Sequence, residues 1–371
     1  LFSIKNPLLL YHDKTAIWLP NKFIPLKYTI QIFMKKLIAY MVLPLVLLLN
    51  ACQEEKTFTD KNTTATKQNI NGLELQDDNN AEWQHGMLRL YPILADEELI
   101  ADHAGQAHIK TLSDAMVTKG FRITEVKQFG REQTNWYNGL TLVNKSKDTV
   151  YVMSGDVVTG GNQDRVNSED LMAMPGTIRN IDVFCVEHGR STYYNPNADA
   201  VERKLAAFNG YYGIASPRVR KAVYDKDQSA VWGAVAQVTK DNNAASSTQT
   251  YAALEQENDM KEAREAYIRF FTSKFENIPN VVGLVAVCNG KVIGTEVFGH
   301  PALFQRRVKA LVHGYAVDAA TATKDENPTD DTAAAKRAFS NVVTVAANGK
   351  KGTEEIGRFD FGGDWVHIYK K

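Results

Sequence analysis

The chain has 371 residues, of which 44% are hydrophobic and 23% charged, with 43 basic and 43 acidic side chains. That is an ordinary globular composition, with enough apolar material for one large domain or two modest ones. A formal net charge of zero leaves no basic excess for a polyphosphate backbone, so nucleic acid is not expected as a partner.

Met34-Lys35-Lys36 precedes an apolar run over 37–49 and then Asn50-Ala51-Cys52. A charged start, a short apolar stretch and small residues at a cleavage point make a secretory signal. The run falls short of the roughly 20 apolar residues a spanning helix needs. The cysteine behind Leu49-Asn50-Ala51 resembles the lipobox of a bacterial lipoprotein. That resemblance implies a signal peptide over 34–51, lipid on Cys52, and a place in the bacterial cell envelope, anchored to the membrane and facing the periplasm or the exterior. Residues 1–33 then read as upstream sequence without a role in the mature chain. Losing 1–51 removes six lysines and Asp13 and leaves 37 basic against 42 acidic residues, a mildly acidic protein. Residues 52–80 are polar and read as the lipidated cysteine with a flexible tether. One globular domain is expected over 81–371.

Within that domain, Leu88, Leu90, Ile93 and Leu94 suggest a first strand with Pro92 at an edge position. "TLSDAMVTKG" reads as a short helix capped by Thr111 or Ser113 and ended by Gly120. From Phe121 to Val186 the pattern turns to period two, with strands in "RITEVKQFG", "WYNGLTLVN", "DTVYVMSGDVV" and "IRNIDVFCVEHG", as in an antiparallel sheet or sandwich. Ser216-Pro217 then opens a helix, and further helices follow in "SAVWGAVAQV" and "MKEAREAYIRFFTSKF". Asn289-Gly290 marks a hairpin between two apolar runs. Pro301 opens an amphipathic helix with Phe304, Val308, Leu311, Val312, Tyr315 and Ala319 on one face, and Arg306, Arg307 and Lys309 off it on a solvated face. "ATKDENPTDDTAA" reads as a surface loop, and "IGRFDF" and "DWVHIY" around Gly362-Gly363 as a closing hairpin. The fold class is therefore α+β: an antiparallel sheet or sandwich core in the N-terminal half, helices mainly in the C-terminal half, and a C-terminal hairpin.

The chain lacks a His-Glu-x-x-His, a Cys-x-x-Cys, a phosphate-binding Walker loop and a Gly-x-Ser-x-Gly elbow. The eight histidines are scattered without metal-ligand spacing, and no metal or cofactor is expected. Cys185 and Cys288, in apolar surroundings, are two separate buried thiols or, in an oxidising envelope, one disulfide.

The chemistry left over lies in "SGDVVTGGNQDRV" and "CVEHGRSTYY". Gly160 and Gly161 allow close approach of a ligand to the backbone amides. Asn162, Gln163 and Arg165 follow at once, and a strand running through Ile181, Val183 and Cys185 delivers Glu187, His188 and Arg190 to the same rim. Arg165 is suited to clamp an anion bidentately; alternatively Arg165 and Glu187 form a structural ion pair. Were the protein an enzyme, Glu187, Asp156 or Asp164 would have to serve as the acid or base.

"GDVVTGGNQDRV", "VFCVEHGR", "SPRVRKAVYDKDQSAVWGAVAQV" and "VVGLVAVCNGKVIGTEVFGHPALFQRRVKALVHGYAVDA", in that order, resemble the ARG and rhodanese-phosphatase-superfamily-associated domain over roughly residues 86–371. The family pattern has Gln-Asn-Arg where this chain has Gln163-Asp164-Arg165, and Glu-Gln-Gly-Arg where it has Glu187-His188-Gly189-Arg190. The resemblance implies a link to ADP-ribose or nucleotide chemistry through genomic company with ADP-ribosylglycohydrolases, without a catalytic signature. Two functions stay open: binding of a small polar ligand, sugar- or nucleotide-like, at the Gly/Arg/Glu rim, or a non-catalytic envelope module that contacts proteins or glycans and whose Arg/Glu cluster is structural.

Overall fold

A computed structural model of the chain describes residues 69–78, 80–125, 138–190, 207–322, 331–347 and 352–371. All belong to one unit, Thr66–Lys371. The fold is α+β, as the pattern indicates.

The largest sheet runs β1 (Asn69–Ile70), β2 (Leu73–Leu75), β4 (Leu88–Ala95), β14 (Val281–Cys288), β15 (Lys291–Phe298), β17 (Asp364–Lys370) and β16 (Ile356–Phe361), with β3 (Gln84–His85) also on β4. Every residue of β14 is buried, because helices cover both faces of the sheet. On one face Leu284, Ala286 and Phe298 pack against Phe271 and Phe275 of α5 (Asn258–Phe275) and against Phe304, Val308 and Leu311 of α6 (Pro301–Ala319). On the other, Tyr91, Val285 and Val297 meet Phe339, Val342 and Val343 of α7 (Asp331–Ala347).

The second sheet closes into a six-stranded barrel in the order β10 (Arg165–Asn167), β12 (Ile178–Cys185), β7 (Gly139–Asn144), β6 (Phe121–Glu125), β13 (Ala207–Ile214) and β9 (Asp156–Gly160). Its apolar cluster includes Ile123, Leu140, Leu142, Val158, Ile181, Val183 and Phe208. Arg165 stands opposite Val158 and Cys185, and paired residues of an antiparallel ladder project to the same face. Arg165 therefore shares the face of that cluster. A third sheet, β11 (Leu171–Ala173), β8 (Val150–Val152) and β5 (Lys110–Thr111), contains a parallel pair, β5 with β8. Helices α1 (Glu97–Asp102), α2 (Leu112–Met116), α3 (Pro217–Tyr224) and α4 (Gln228–Asp241) complete the described α-helices.

Several expectations need correction. The expected tether overlaps the fold, because Asn71-Gly72 turns a hairpin whose Leu73 and Leu75 are buried on β4. Both turn residues have positive φ, 54° and 79°, as the tight twisted hairpin turn requires. The N-terminal core is antiparallel sheet, as expected, and it closes into a barrel. Pro92 lies inside the large sheet, opposite Leu284; its carbonyl accepts from Gln76 N–H (2.9 Å), and its missing donor faces the gap between β2 and β3. Part of the expected surface loop, residues 331–334, is the first turn of α7; residues 323–330 lie outside the described part. Of the two readings of Cys185 and Cys288, the structure has the separate buried thiols, on strands of different sheets.

Arg307 is the largest departure. Instead of facing solvent it is fully buried, because α6 is covered by the large sheet on one side and reaches the barrel on another. Its Nη1 donates to Asp156 Oδ1 (2.6 Å) and its Nη2 to the Tyr151 carbonyl (2.8 Å). Tyr211 Oη (2.9 Å) and the Met153 N–H (2.8 Å) also donate to Asp156. Removing one member of such a pair leaves a buried charge unpaired. Arg307→Ala should therefore lower unfolding stability by about 3–5 kcal/mol in urea titrations; a loss below about 1 kcal/mol, the value of a surface pair, would show that this junction does not hold the two sheets together.

Candidate functional site

The turn between β9 and β10 builds the site. Gly160 and Gly161 take φ of 118° and 55°, and a side chain at Gly161 would collide with the Phe208 ring and come within 2.7 Å of Glu125 Oε1. The glycines let the turn fold down on the barrel end, where the Asn162 N–H donates to Glu125 Oε1 (2.7 Å).

Of the rim residues named from the sequence, Gly160, Gly161, Gln163, Glu187 and Arg190 meet here, Asn162 binds Glu125 through its N–H, and His188 and Arg165 turn to other partners. Gln163 Nε2 donates to the Glu187 carbonyl (2.8 Å), and the Asp164 N–H to Glu187 Oε2 (3.0 Å). Arg190 Nε lies 2.9 Å from both Glu187 oxygens. Its Nη1 donates to the Gly161 carbonyl (2.8 Å), and its Nη2 to the Gly160 carbonyl and Asp164 Oδ1 (3.3 Å each). Asp164 also accepts from the Gly160 N–H (3.0 Å) and from Thr250 Oγ1 (2.6 Å). His188 packs edge-on against Trp232, centroids 4.4 Å apart. Thr250 and Glu125 complete the cluster. Neither was legible as a site residue, because a lone Thr in a loop and a Glu at a strand end become partners only through tertiary folding.

The alternative of an Arg165–Glu187 ion pair is not realised. Glu187 belongs to Arg190, and Arg165 faces Glu125, with Nη2 at 3.9 Å from Oε1. Arg165 is 2% exposed, yet its remaining contact is a 3.4 Å approach of Nη1 to the Asp164 carbonyl, and its Nε has no partner. The other buried arginines place both Nη groups on close acceptors, Arg307 as above, Arg220 on Glu296 and Tyr224, Arg264 on Asn242 and the Leu254 carbonyl, although Nε of Arg264 and Arg307 is unpartnered like that of Arg165. Arg165 is a buried guanidinium whose donors are largely unused.

The three carboxylates considered as acid or base are all engaged. Burial would raise Glu187, but Arg190, Thr248 and the Asp164 N–H hold it below the ordinary carboxylate range, which makes it a weak base. Asp164 carries the contacts above. Asp156 is not at the rim at all; it is the partner of Arg307.

A second polar assembly, absent from the sequence reading, lies between the large sheet and α3 and α6. His367 Nε2 contacts Glu296 Oε2 (2.7 Å), and its Nδ1 contacts Tyr151 Oη (2.9 Å), which donates to Asp170 (2.7 Å). Arg220 and Tyr315 donate to Glu296 Oε1. The available signal was a Glu and a His at inward positions of the apolar runs "GTEVF" and "WVHIY".

An α+β domain with a closed barrel, a glycine turn folded over its end and an underused arginine inside it defines a compact class of domain rather than a reaction. The chain belongs to the ARG and Rhodanese-Phosphatase-superfamily-associated Protein domain family, whose model matches residues 78–360. No curated protein and no solved structure gives a significant match.

The second assembly sets an acid limit. Burial pushes Glu296 up, but Arg220 and His367 outweigh it and hold its carboxyl at about 2, below the ordinary 4.5. A depressed carboxylate contributes stability that is complete above its unfolded value and lost as pH falls toward the folded one. Urea stability should therefore fall steeply from about pH 4.5 toward 2. Glu296→Gln should start lower at neutral pH and decline less over that window; an unchanged slope would show that Glu296 does not set the limit.

Proposed function

We propose that this protein is a lipid-anchored envelope protein whose domain binds a small polar ligand with an anionic group, sugar- or nucleotide-like, at the barrel end formed by Gly160–Arg165. The carrying observation is Arg165: a buried charge with unused donors is costly, and an anionic oxygen pair is the group that fits a guanidinium fork. Glu187, Arg190, Asp164 and Gln163 are the frame that holds the turn, not the ligand's contacts. The family's association with ADP-ribosylglycohydrolases favours an ADP-ribose-like ligand. The competing reading, a non-catalytic module contacting envelope proteins or glycans, draws support from that same frame, whose charged groups are already satisfied by one another.

Thermal-shift measurements on the chain from Gln53 onward, with ADP-ribose, nucleotides, sugars and envelope glycans, separate the two. A ligand at a hundredfold excess over its dissociation constant adds about 2.7 kcal/mol. Arg165→Met, which fills the space without the charge, should abolish that gain and change the unliganded melting point little, because Arg165 reaches Glu125 only at 3.9 Å and Glu125 keeps the Asn162 N–H. No ligand response in the parent, together with a loss of about 3–5 kcal/mol in Arg165→Met, would leave the interaction module standing.

The membrane anchor rests on the order Met34-Lys35-Lys36, apolar run, Cys52. In a bacterial host the mature chain should begin at lipidated Cys52, and Cys52→Ser should leave the membrane fraction or stay unprocessed. Mass spectrometry that finds residues 1–51 on the membrane-bound protein would exclude this processing.

A further inference from the structure

Among the described residues three large apolar side chains are exposed: Val117 at 88%, Ile178 at 64% and Met174 at 52%. Exposed apolar residues scattered singly are commonplace, but these three converge. Val117 follows α2 in the turn that leads to Gly120, whose carbonyl accepts from the Lys145 N–H (2.8 Å). Met174 opens the Pro175-Gly176 turn; the Gly176 N–H donates to the Asn144 carbonyl and the Asn144 N–H to the Thr177 carbonyl (2.8 Å each). Ile178 then pairs with Val143 at the start of β12. All three residues belong to segments bonded to the corner where β7 ends, and together these segments close one end of the barrel. It is the end opposite the glycine turn, because β6 runs from Phe121 here to Glu125, which holds the Asn162 N–H there.

Charge gathers at the same end. Residues 112–122, 143–149 and 172–180 carry five basic side chains and two acidic ones, on a chain whose part beyond residue 51 is mildly acidic. Asp114 is engaged in the cap of α2 and Arg179 in a pair with Glu169 (3.2 Å), and Asp148 is half-buried. Lys119, Arg122, Lys145 and Lys147 are exposed and have no carboxylate partner among the described residues. Arg122 and Ile178 both stand opposite Val143, so they share the outer face of the barrel, about 10 Å apart across one strand. Protruding apolar tips are therefore set among uncompensated cations. A second copy docked by the same patch would bring these lysines against their own kind, and lysine is depleted from the core of protein interfaces. A bilayer surface has no such objection: its headgroup layer takes apolar tips without a matched shape, and its anionic headgroups take the cations, whose aliphatic stems reach outward.

We propose that this end of the barrel docks on an anionic phospholipid surface, with Val117, Met174 and Ile178 entering the headgroup layer and Lys119, Arg122, Lys145 and Lys147 among its phosphates. Docking here turns the Gly160–Arg165 end away from the bilayer and leaves it open to a ligand. Within the cell the proposal rests on the lipid anchor proposed above: the 17 positions from Cys52 to Asn69 span at most about 60 Å, which keeps the domain within reach of the membrane.

The test uses the chain from Gln53 onward, which lacks Cys52, so its outcome is separate from that of lipid processing. In about 0.1 M salt the protein should sediment with phosphatidylglycerol vesicles and not with phosphatidylcholine vesicles, and higher salt should release it. Met174→Cys carrying an environment-sensitive fluorophore should shift to the blue on the anionic vesicles, whereas the same label at Glu262→Cys, exposed on α5, should not; Cys185 and Cys288 are buried and escape the label. Each basic residue close to an anionic surface strengthens binding about fivefold. Lys119→Gln combined with Lys145→Gln should therefore weaken vesicle binding about twenty-five-fold. Val117→Ser combined with Ile178→Ser should weaken it with the charge intact, and neither pair should move the melting point, since all four side chains are exposed. Equal binding to neutral vesicles, an equal shift from the label on α5, or full binding in either double variant would overturn the proposal. Absent vesicle binding, together with a dimer that Val117→Ser and Ile178→Ser dissolve, would overturn it in favour of a second copy. Arg165→Met lies at the other end and should leave vesicle binding intact, which keeps this result apart from that of the ligand screen.

Discussion

The contact on which the rest of the domain depends is the buried ion pair between Arg307 and Asp156. Helix α6 uses Phe304, Val308 and Leu311 to cover the large sheet, and Arg307 to reach β9 of the barrel. Apolar contacts are non-directional and would tolerate sliding of one layer over another. A guanidinium split between a carboxylate and the Tyr151 carbonyl tolerates far less, since any displacement strands a buried charge. The pair fixes where β9 begins, and the turn at its far end carries Gly160, Gly161 and the whole rim cluster.

The second assembly extends the same logic across the core. Glu296 on β15 is shared by Arg220 of α3, Tyr315 of α6 and His367 of β17, and Tyr151 links His367 to Asp170. Each polar group in this chain sits on a different element. Phe298 stacks flat on His367 at 4.4 Å, so the ring cannot turn to a different partner without losing aromatic contact. Networks of this kind add little net stability, but a partly satisfied arrangement would be costly. They specify one packing of helices on sheets.

How much of this was legible follows from which forces act locally. The barrel strands announced themselves because alternate residues face an apolar interior, and Asn289-Gly290 because a tight hairpin demands positive φ. The same Asn-Gly signal at 71–72 went unread, since the surrounding residues are polar and resemble a tether. Arg307 was misplaced for a physical reason: a helical wheel assumes one buried face, and α6 is buried on more than one. The stripe of α7, Phe339, Val342 and Val343, was hidden behind an acidic, proline-bearing lead-in. The rim residues were legible as charges at strand ends, but their pairing was not. Arg190 rather than Arg165 takes Glu187, and Thr250 arrives from 86 positions away in sequence, because pairing is decided by which elements the fold brings together.

That exchange of partners changes what the rim means. Had Arg165 and Glu187 paired, the cluster would be a closed structural bridge with nothing to offer a ligand. Because Arg190 satisfies Glu187 from the half-exposed side, the frame is complete without Arg165, and Arg165 is left inside the barrel with only a distant carboxylate and a long carbonyl contact. The Gly160–Gly161 turn is consequently held by groups that a ligand need not displace. Its shape is fixed before anything binds, and the cost of ordering a loop around a ligand is largely removed. The polar excess left inside the barrel is one of donors, carried by the Arg165 guanidinium.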